Sequence, residues 1–244
     1  MTNNNQSGPG PVPNRWLYCP RKSTRLIAEK FLAFKTPLDS RFDEQVPDEC
    51  RFTPSMLFES TRSYKHRIGL WIDLTNTTRF YNTEEVKNGY GDGSVAYSKV
   101  ACKGHSETPS EEQATLFMTL CENFISRYPL KIIGVHCTHG FNRTGFLLVS
   151  YLVEKHNWGL EAALLEFSRA RPPGIYKEDY LAKLYQLYGD SDDEVPQAPP
   201  RPDWCFEGWF FLFYYIVYNL LIPFSNQVSV SKRINLPCPI LLGL

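Results

Sequence analysis

His136-Cys137-Thr138-His139-Gly140-Phe141-Asn142-Arg143-Thr144-Gly145 stands between two apolar runs, Lys131-Ile132-Ile133-Gly134-Val135 before it and Phe146-Leu147-Leu148-Val149-Ser150-Tyr151-Leu152-Val153 after it. The first run is short, β-branched and bounded by Pro129, which predicts a buried strand. The second is long enough for a helix buried on several sides. The stretch between them is then a turn from the end of a strand into the start of a helix. Unpaired N–H groups at a helix start, together with the macrodipole, make such a turn an anion site.

The residue types sharpen that expectation. A cysteine at the base of an N–H-lined loop has its thiolate stabilised, and the thiolate is the nucleophile. Thr138, His139, Gly140, Phe141 and Asn142 supply the loop that would wrap a phosphate. Arg143, at the helix start, can return to grip two phosphate oxygens bidentately, which lysine cannot do. Gly140 and Gly145 are expected to allow tight turning and close approach of backbone to an oxyanion. Thr144 brings a hydroxyl to the sulfur for turnover of a phosphocysteine, and His136 would orient the loop from beneath. A free cysteine is more often an inert buried residue, and a single histidine is more often structural. The joint arrangement in a strand–loop–helix is far more specific.

Outward from this stretch the chain reads as α/β. The segment Ile68-Gly69-Leu70-Trp71-Ile72-Asp73-Leu74-Thr75 is a buried strand running into a polar loop, and residues 95–101 alternate enough for another strand. Thr53-Pro54 opens a helix with a capping hydroxyl and a proline. Residues 84–87 form a short helix before the Gly89-Tyr90-Gly91-Asp92-Gly93 turn. Thr108-Pro109-Ser110-Glu111 has the form of a capping box, and the helix after it carries Phe117, Leu120, Cys121, Phe124 and Ile125 at core spacing. Residues 160–169 and 177–188 are amphipathic helices separated by Arg171-Pro172-Pro173-Gly174. Strands interleaved with helices predict one domain, residues 14–189, with a central, mostly parallel sheet flanked by helices. Its ligand loop lies at a strand's carboxyl end. Within it, residues 14–50 read as irregular with local helix at best.

Residues 1–13 are polar and rich in Pro and Gly, a disordered N-terminus and not a signal peptide. Residues 190–208 form an acidic, then Pro-rich linker. Residues 209–244 form a tail of unknown role. Its apolar part, 209–224, is interrupted by Asn219 and Pro223 and falls short of the roughly 20 residues of a spanning helix, so a membrane partner is not expected. Formal charge is zero in total, but the residues before Asp190 carry 23 bases against 20 acids, a small excess that suits a polyanion. The seven cysteines are odd in number and scattered. They show neither zinc-ligand spacing nor a disulfide framework, which points to a reducing compartment.

The pattern His-Cys-x5-Arg-Thr-Gly resembles the signature of the cysteine-dependent phosphatases. The full string resembles one branch, the RNA 5′-triphosphatase domain of metazoan mRNA capping enzymes. Arg15-Trp16-Leu17-Tyr18-Cys19-Pro20, Asp73-Leu74-Thr75-Asn76-Thr77-Thr78-Arg79-Phe80-Tyr81 and Ala170-Arg171-Pro172-Pro173-Gly174-Ile175-Tyr176-Lys177 resemble the same branch. The similarity runs from about Arg15 to Glu207.

This resemblance implies removal of the γ-phosphate from the 5′-triphosphate end of pre-mRNA through a phosphocysteine, in the nucleus, without metal or other cofactor. Asp73 resembles an acidic residue of the branch that faces the site; as an alternative it caps the Thr75-Asn76-Thr77 loop. Tyrosine phosphatases resemble one another in carrying a general-acid Asp on the loop that here reads Cys102-Lys103-Gly104-His105-Ser106-Glu107, which has none. A diphosphate leaves without such help more readily than an alkoxide, which favours a triphosphate substrate, with His105 or Glu107 as substitute acids. Lys103, Arg79 and Arg171 are expected either to contact the RNA phosphates or to sit on a solvated surface. The family's guanylyltransferase motif Lys-x-Asp-Gly is not found in the sequence, so GMP transfer is not expected of this chain; beyond the RNA end, the partners the resemblance implies are a separate guanylyltransferase or the transcription machinery. Two other readings stay open: a dual-specificity protein phosphatase, and a non-catalytic module that binds RNA or phosphate.

Overall fold

The computed structural model describes residues 8–91, 93–104, 107–191 and 194–206. His105 and the 209–244 tail lie outside them. Four strands, β1 (Phe31–Lys35), β2 (Ile68–Asp73), β3 (Ala96–Lys99) and β4 (Ile132–Cys137), form one sheet in the order β1-β4-β2-β3. Every pairing is parallel. β4, with all six residues buried, is central because a strand covered on both faces needs a continuous apolar run.

The register gathers the chemistry at one edge of the sheet. Cys137 ends β4 opposite Lys35 of β1, while Asp73 of β2 lies beside His136 and Lys99. That edge is where ligands bind in open α/β sheets. One face of the sheet carries α3 (Glu111–Arg127), α4 (Asn142–His156), α5 (Leu160–Ala170) and α6 (Glu178–Tyr188), which bury Phe117, Leu148, Phe167 and Leu184 against β4. The other carries α1 (Pro54–Ser63) and α2 (Thr83–Lys87), which pack with Trp16, Phe34 and Trp71.

Several boundaries depart from the sequence reading. β1 lies inside the stretch expected to be irregular. All five of its residues are buried, Lys35 included. The cap of α3 is Ser110, whose hydroxyl accepts from the Gln113 N–H while the Gln113 side chain accepts from the Ser110 N–H. The capping box is therefore two residues later than Thr108. Thr53 caps α1 as expected, accepting from Met56 N–H. Residues 8–13, expected to be disordered, are held to the domain: the Val12 N–H donates to Gln45, and the Arg79 guanidinium donates to the Pro9 carbonyl at 2.8 Å. Residues 194–206, expected to be a free linker, return to the body, where Ala198 packs on the core and Cys205 is buried. Among the described residues no helix is long and apolar enough to cross a membrane.

Candidate active site

The loop between β4 and α4 is held from beneath by backbone. The Thr36 N–H donates to Thr138 O at 3.0 Å, and the Leu74 N–H donates to His136 O at 2.8 Å. Gly140 has φ +73, and a Cβ there would lie 2.2 Å from the Phe34 carbonyl oxygen. Both the left-handed backbone and the close approach require glycine. Gly140→Ala should therefore lower stability by about 2 kcal/mol or more, read as a reduced urea midpoint at unchanged slope. Gly145 departs from expectation. It does not turn the loop; a Cβ there would lie 2.6 Å from the Phe167 ring and 2.7 Å from Ile175, so this glycine lets α4 pack closely on α5.

α4 starts without a side-chain cap and without an acid in its first turn, so its N-terminal N–H groups are free to meet an anion. The Asn142 side chain is engaged elsewhere, accepting from the Tyr176 and Lys177 N–H groups at 3.0 and 3.1 Å. Phe141 is buried and lies under the Arg171 guanidinium at 4.3 Å. Asn142 and Phe141 can thus offer phosphate their backbone, not their side chains.

At the base of the loop the Gly140 N–H donates to the Cys137 sulfur at 3.3 Å. Burial opposes the thiolate, but the Arg143 guanidinium, the Thr144 hydroxyl and the Thr144 and Gly140 N–H groups outweigh it and hold the Cys137 pKa below 9.0. Burial instead drives Cys19 and Cys102 up to about 12 and raises Cys121 well above its ordinary value. The Thr144 hydroxyl is fully buried near the sulfur, yet makes no hydrogen bond of normal geometry among the described residues. It is placed to bond the sulfur when charge develops there.

Because the thiolate is the reactive form, alkylation of Cys137 should rise with pH through a midpoint below 9.0. Arg143→Ala should move that midpoint up by about one unit or more, since it removes an opposite charge from beside the thiolate. Iodoacetamide labelling followed by peptide mass analysis would measure both.

Arg143 is fixed in place before any ligand arrives. Nη1 donates to the Cys102 and Leu74 carbonyls at 2.9 and 3.3 Å, and Nη2 donates to the Thr138 hydroxyl at 2.9 Å. His136 is wholly buried. Its Nδ1 lies 3.1 Å from the Cys137 carbonyl, which can only accept, so Nδ1 carries the proton. Burial lowers the His136 pKa against the pull of Asp73, leaving a neutral ring whose Nε2 accepts from the Tyr81 hydroxyl at 2.7 Å. His136 thus lies buried beneath the loop, bonded to Tyr81 and to the Cys137 carbonyl.

Asp73 lies behind this layer and not in the cleft. It is 2% exposed and accepts from the Thr75 N–H and hydroxyl at 2.8 and 2.7 Å, from Tyr97 at 2.9 Å and from Lys99 at 2.8 Å. Burial opposes its charge, but the Lys99 ammonium, by its charge and its hydrogen bond, together with the Thr75 hydrogen bond, holds its pKa below the usual carboxylate range. It thus caps the Thr75 loop and does not line the cleft.

The remaining candidates separate. His139 gives Nε2 to the Asn14 carbonyl at 2.8 Å, and burial lowers its pKa to about 4, so its imidazole brings no positive charge. Arg171, expected on the surface or against RNA, is 1% exposed. It donates to the Gly140, His139 and Pro20 carbonyls at 3.3, 2.8 and 2.7 Å and so clamps the loop from behind. Lys103 and Glu107 face solvent as a pair 3.8 Å apart, and neither lines the cleft. Arg79 does line the cleft.

That cleft has a volume of about 1280 Å³ and is lined by Cys137, Thr138, His139, Phe141, Asn142 and Arg143 at its floor. Arg15, Arg79, Lys177 and Arg201 stand around it, against the acids Glu178 and Asp179. Sequence reasoning missed Lys177, Arg201, Glu178 and Asp179. The helix of Glu178 and Asp179 read as ordinary amphipathic surface, and Arg201 sat in the supposed linker. Among the described residues no group of three or more His, Cys, Asp or Glu side chains could hold a metal. A nucleophilic thiolate, a fixed guanidinium and a basic cleft together equip the site for phosphoryl transfer through cysteine.

The dual specificity phosphatase catalytic domain family matches residues 56–190. The mRNA-capping enzyme of Danio rerio is 53% identical over 196 residues, 80% of this chain and 32% of that protein. The same enzyme of Mus musculus is 51% identical over equal shares. The chain thus spans about a third of the length of these relatives. An RNA/RNP complex-1-interacting phosphatase homolog of Caenorhabditis elegans is 34% identical over 72% of this chain and 75% of its own length. The crystal structure of PTPMT1 has a TM-score of 0.50 at 15% identity, covering 67% of this chain and 92% of that one, a likeness of fold.

Proposed function

We propose, since this chain belongs to the dual specificity phosphatase family and is a cysteine phosphatase, that its substrate is the 5′-triphosphate end of RNA and its product the 5′-diphosphate end. The observation that carries this reading is the cleft. At about 1280 Å³ with Arg15, Arg79, Lys177 and Arg201 around the phosphate loop, it is larger and more basic than one phosphorylated side chain needs. The two capping enzymes, each matched over 80% of this chain, support the same substrate.

The Cys137 thiolate attacks the γ-phosphorus in line. Arg143 and the N–H groups of residues 138–144 hold the equatorial oxygens, whose charge is spread in the transition state. The bond to the bridging oxygen breaks and the diphosphate end departs with that electron pair. As a good leaving group it needs less protonation than an alkoxide, in keeping with the solvent-facing position of Glu107. Water then attacks the phosphocysteine, releasing phosphate and returning the thiolate, toward which the Thr144 hydroxyl can donate. On this reading the chain acts at the first step of capping, in the nucleus, with a separate guanylyltransferase or the transcription machinery as its partner.

The test compares γ-labelled triphosphate RNA with a phosphotyrosine peptide, both with chelator present. Phosphate release from RNA with kcat/KM at least tenfold above the peptide supports the reading. Preference for the peptide overturns it in favour of a protein phosphatase.

A further inference from the structure

After α6 the chain returns to the mouth of the cleft, where Gln197, Ala198, Pro199, Pro200 and Arg201 line one side. A 3-10 turn, Asp203–Cys205, follows. It lays the Trp204 indole against Phe141 at 5.3 Å, His139 at 5.5 Å and Tyr176 at 6.1 Å between ring centres. Two of these three rings belong to the phosphate loop. The third is tied to the same loop, because the Tyr176 N–H donates to the Asn142 side chain. Cys205, next to the indole, is 5% exposed, so the turn is seated in the body of the protein. A spacer needs no buried anchor of this kind, whereas a wall of the site does.

We infer that residues 197–205 are a working part of the active site, in which Trp204 is a positioning residue for the phosphate loop and Arg201 holds the substrate beyond its scissile phosphate. The loop N–H groups must point at the equatorial oxygens, and they ride on a backbone whose outer side chains, His139 and Phe141, are packed by the indole. Arg171 grips that backbone from behind through the His139 and Gly140 carbonyls, so Trp204 supplies the complementary contact through the side chains. Arg201, exposed at the cleft wall, lies where a polyanion entering the site must pass. The Arg201 half rests on the RNA reading above. The Trp204 half does not, because every phosphate substrate meets the same loop.

The full chain carrying Trp204→Ala, Trp204→Phe or Arg201→Gln would be assayed on p-nitrophenyl phosphate and on triphosphate RNA. Trp204→Ala should lower kcat/KM on both substrates by roughly tenfold or more, the scale of a small misplacement of catalytic groups. It should also move the Cys137 alkylation midpoint upward, and Trp204→Phe should recover most of both. Arg201→Gln should raise KM for RNA severalfold more than for the ester and shrink the salt slope of RNA binding by about 0.7, one phosphate contact to a single strand.

Native kcat/KM and alkylation profile in Trp204→Ala overturn the positioning role. If that variant does not fold, Trp204→Leu decides in its place by the same two readouts. Equal effects of Arg201→Gln on both substrates, with an unchanged salt slope, overturn the substrate contact. If the native protein turns over no RNA, the proposed substrate falls while the ester data still decide Trp204.

Discussion

Cys137→Ser should abolish turnover, by about 10⁴-fold or more, while substrate binding persists. Serine keeps the shape of the side chain but replaces a group whose pKa lies below 9.0 here with a hydroxyl that stays protonated at every working pH. Among the described residues no imidazole or carboxylate is placed to take that proton. His136 turns its protonated Nδ1 to the Cys137 carbonyl and its Nε2 to Tyr81, and His139 is bonded to the Asn14 carbonyl. The loop N–H groups and Arg143 are untouched by the exchange, so RNA should still bind with an affinity within a few fold of native, read by filter binding or fluorescence anisotropy. Residual turnover within tenfold of native would mean that another group is the nucleophile. A non-catalytic binding module would tolerate the exchange in every cellular assay; a catalytic protein would not.

Arg143→Lys should lower kcat by about 10²–10³-fold even though the charge is retained. The native guanidinium is fixed on three sides by Cys102, Leu74 and Thr138, leaving its fork aimed at the loop. An ammonium is a point charge on a flexible stem, so it can neither satisfy those carbonyls nor hold two phosphate oxygens at once. The alkylation midpoint of Cys137 separates charge from geometry. It should move less in Arg143→Lys than in Arg143→Ala, while kcat falls steeply in both. Near-native kcat in the lysine variant would show that bidentate geometry is dispensable.

The catalytic stretch was legible because its information is local. A β-branched run, a glycine-bearing turn and an apolar helix lie next to one another in sequence, and together they dictate strand, loop and anion site. The position of His136 beneath the loop is local in the same way, since it lies in β4 one residue before Cys137. β1 was not legible. Its Phe31-Leu32-Ala33-Phe34-Lys35 ends in a lysine, and its strand character comes from pairing with β4 about a hundred positions away in sequence. Lys35 is buried because its ammonium finds the Trp16 carbonyl at 2.9 Å and the Trp16 ring at 3.6 Å.

Arg171 was misjudged on similar grounds. A guanidinium is ordinarily placed on the surface, and here three backbone carbonyls brought together by the fold make burial tolerable. Asp73 was visible as a strand-end acid, but its direction was not, because Thr75, Tyr97 and Lys99 draw it away from the cleft. Pro-rich composition made residues 190–208 read as a linker, although prolines also suit a strap that lies along a surface without needing backbone partners. Trp204 and Cys205 were the signal to weigh: a large aromatic beside a thiol within a polar stretch has a reason to be buried.

The most direct measurement is rapid-quench trapping of the phosphoenzyme with γ-labelled triphosphate RNA in the presence of chelator, followed by peptide mapping. Label should appear on Cys137 at least as fast as phosphate is released, should be missing from Cys137→Ser, and should not appear when the RNA is labelled at the α-phosphate. Phosphate released without label ever reaching Cys137, or turnover surviving in Cys137→Ser, would contradict attack by this thiolate on the γ-phosphate.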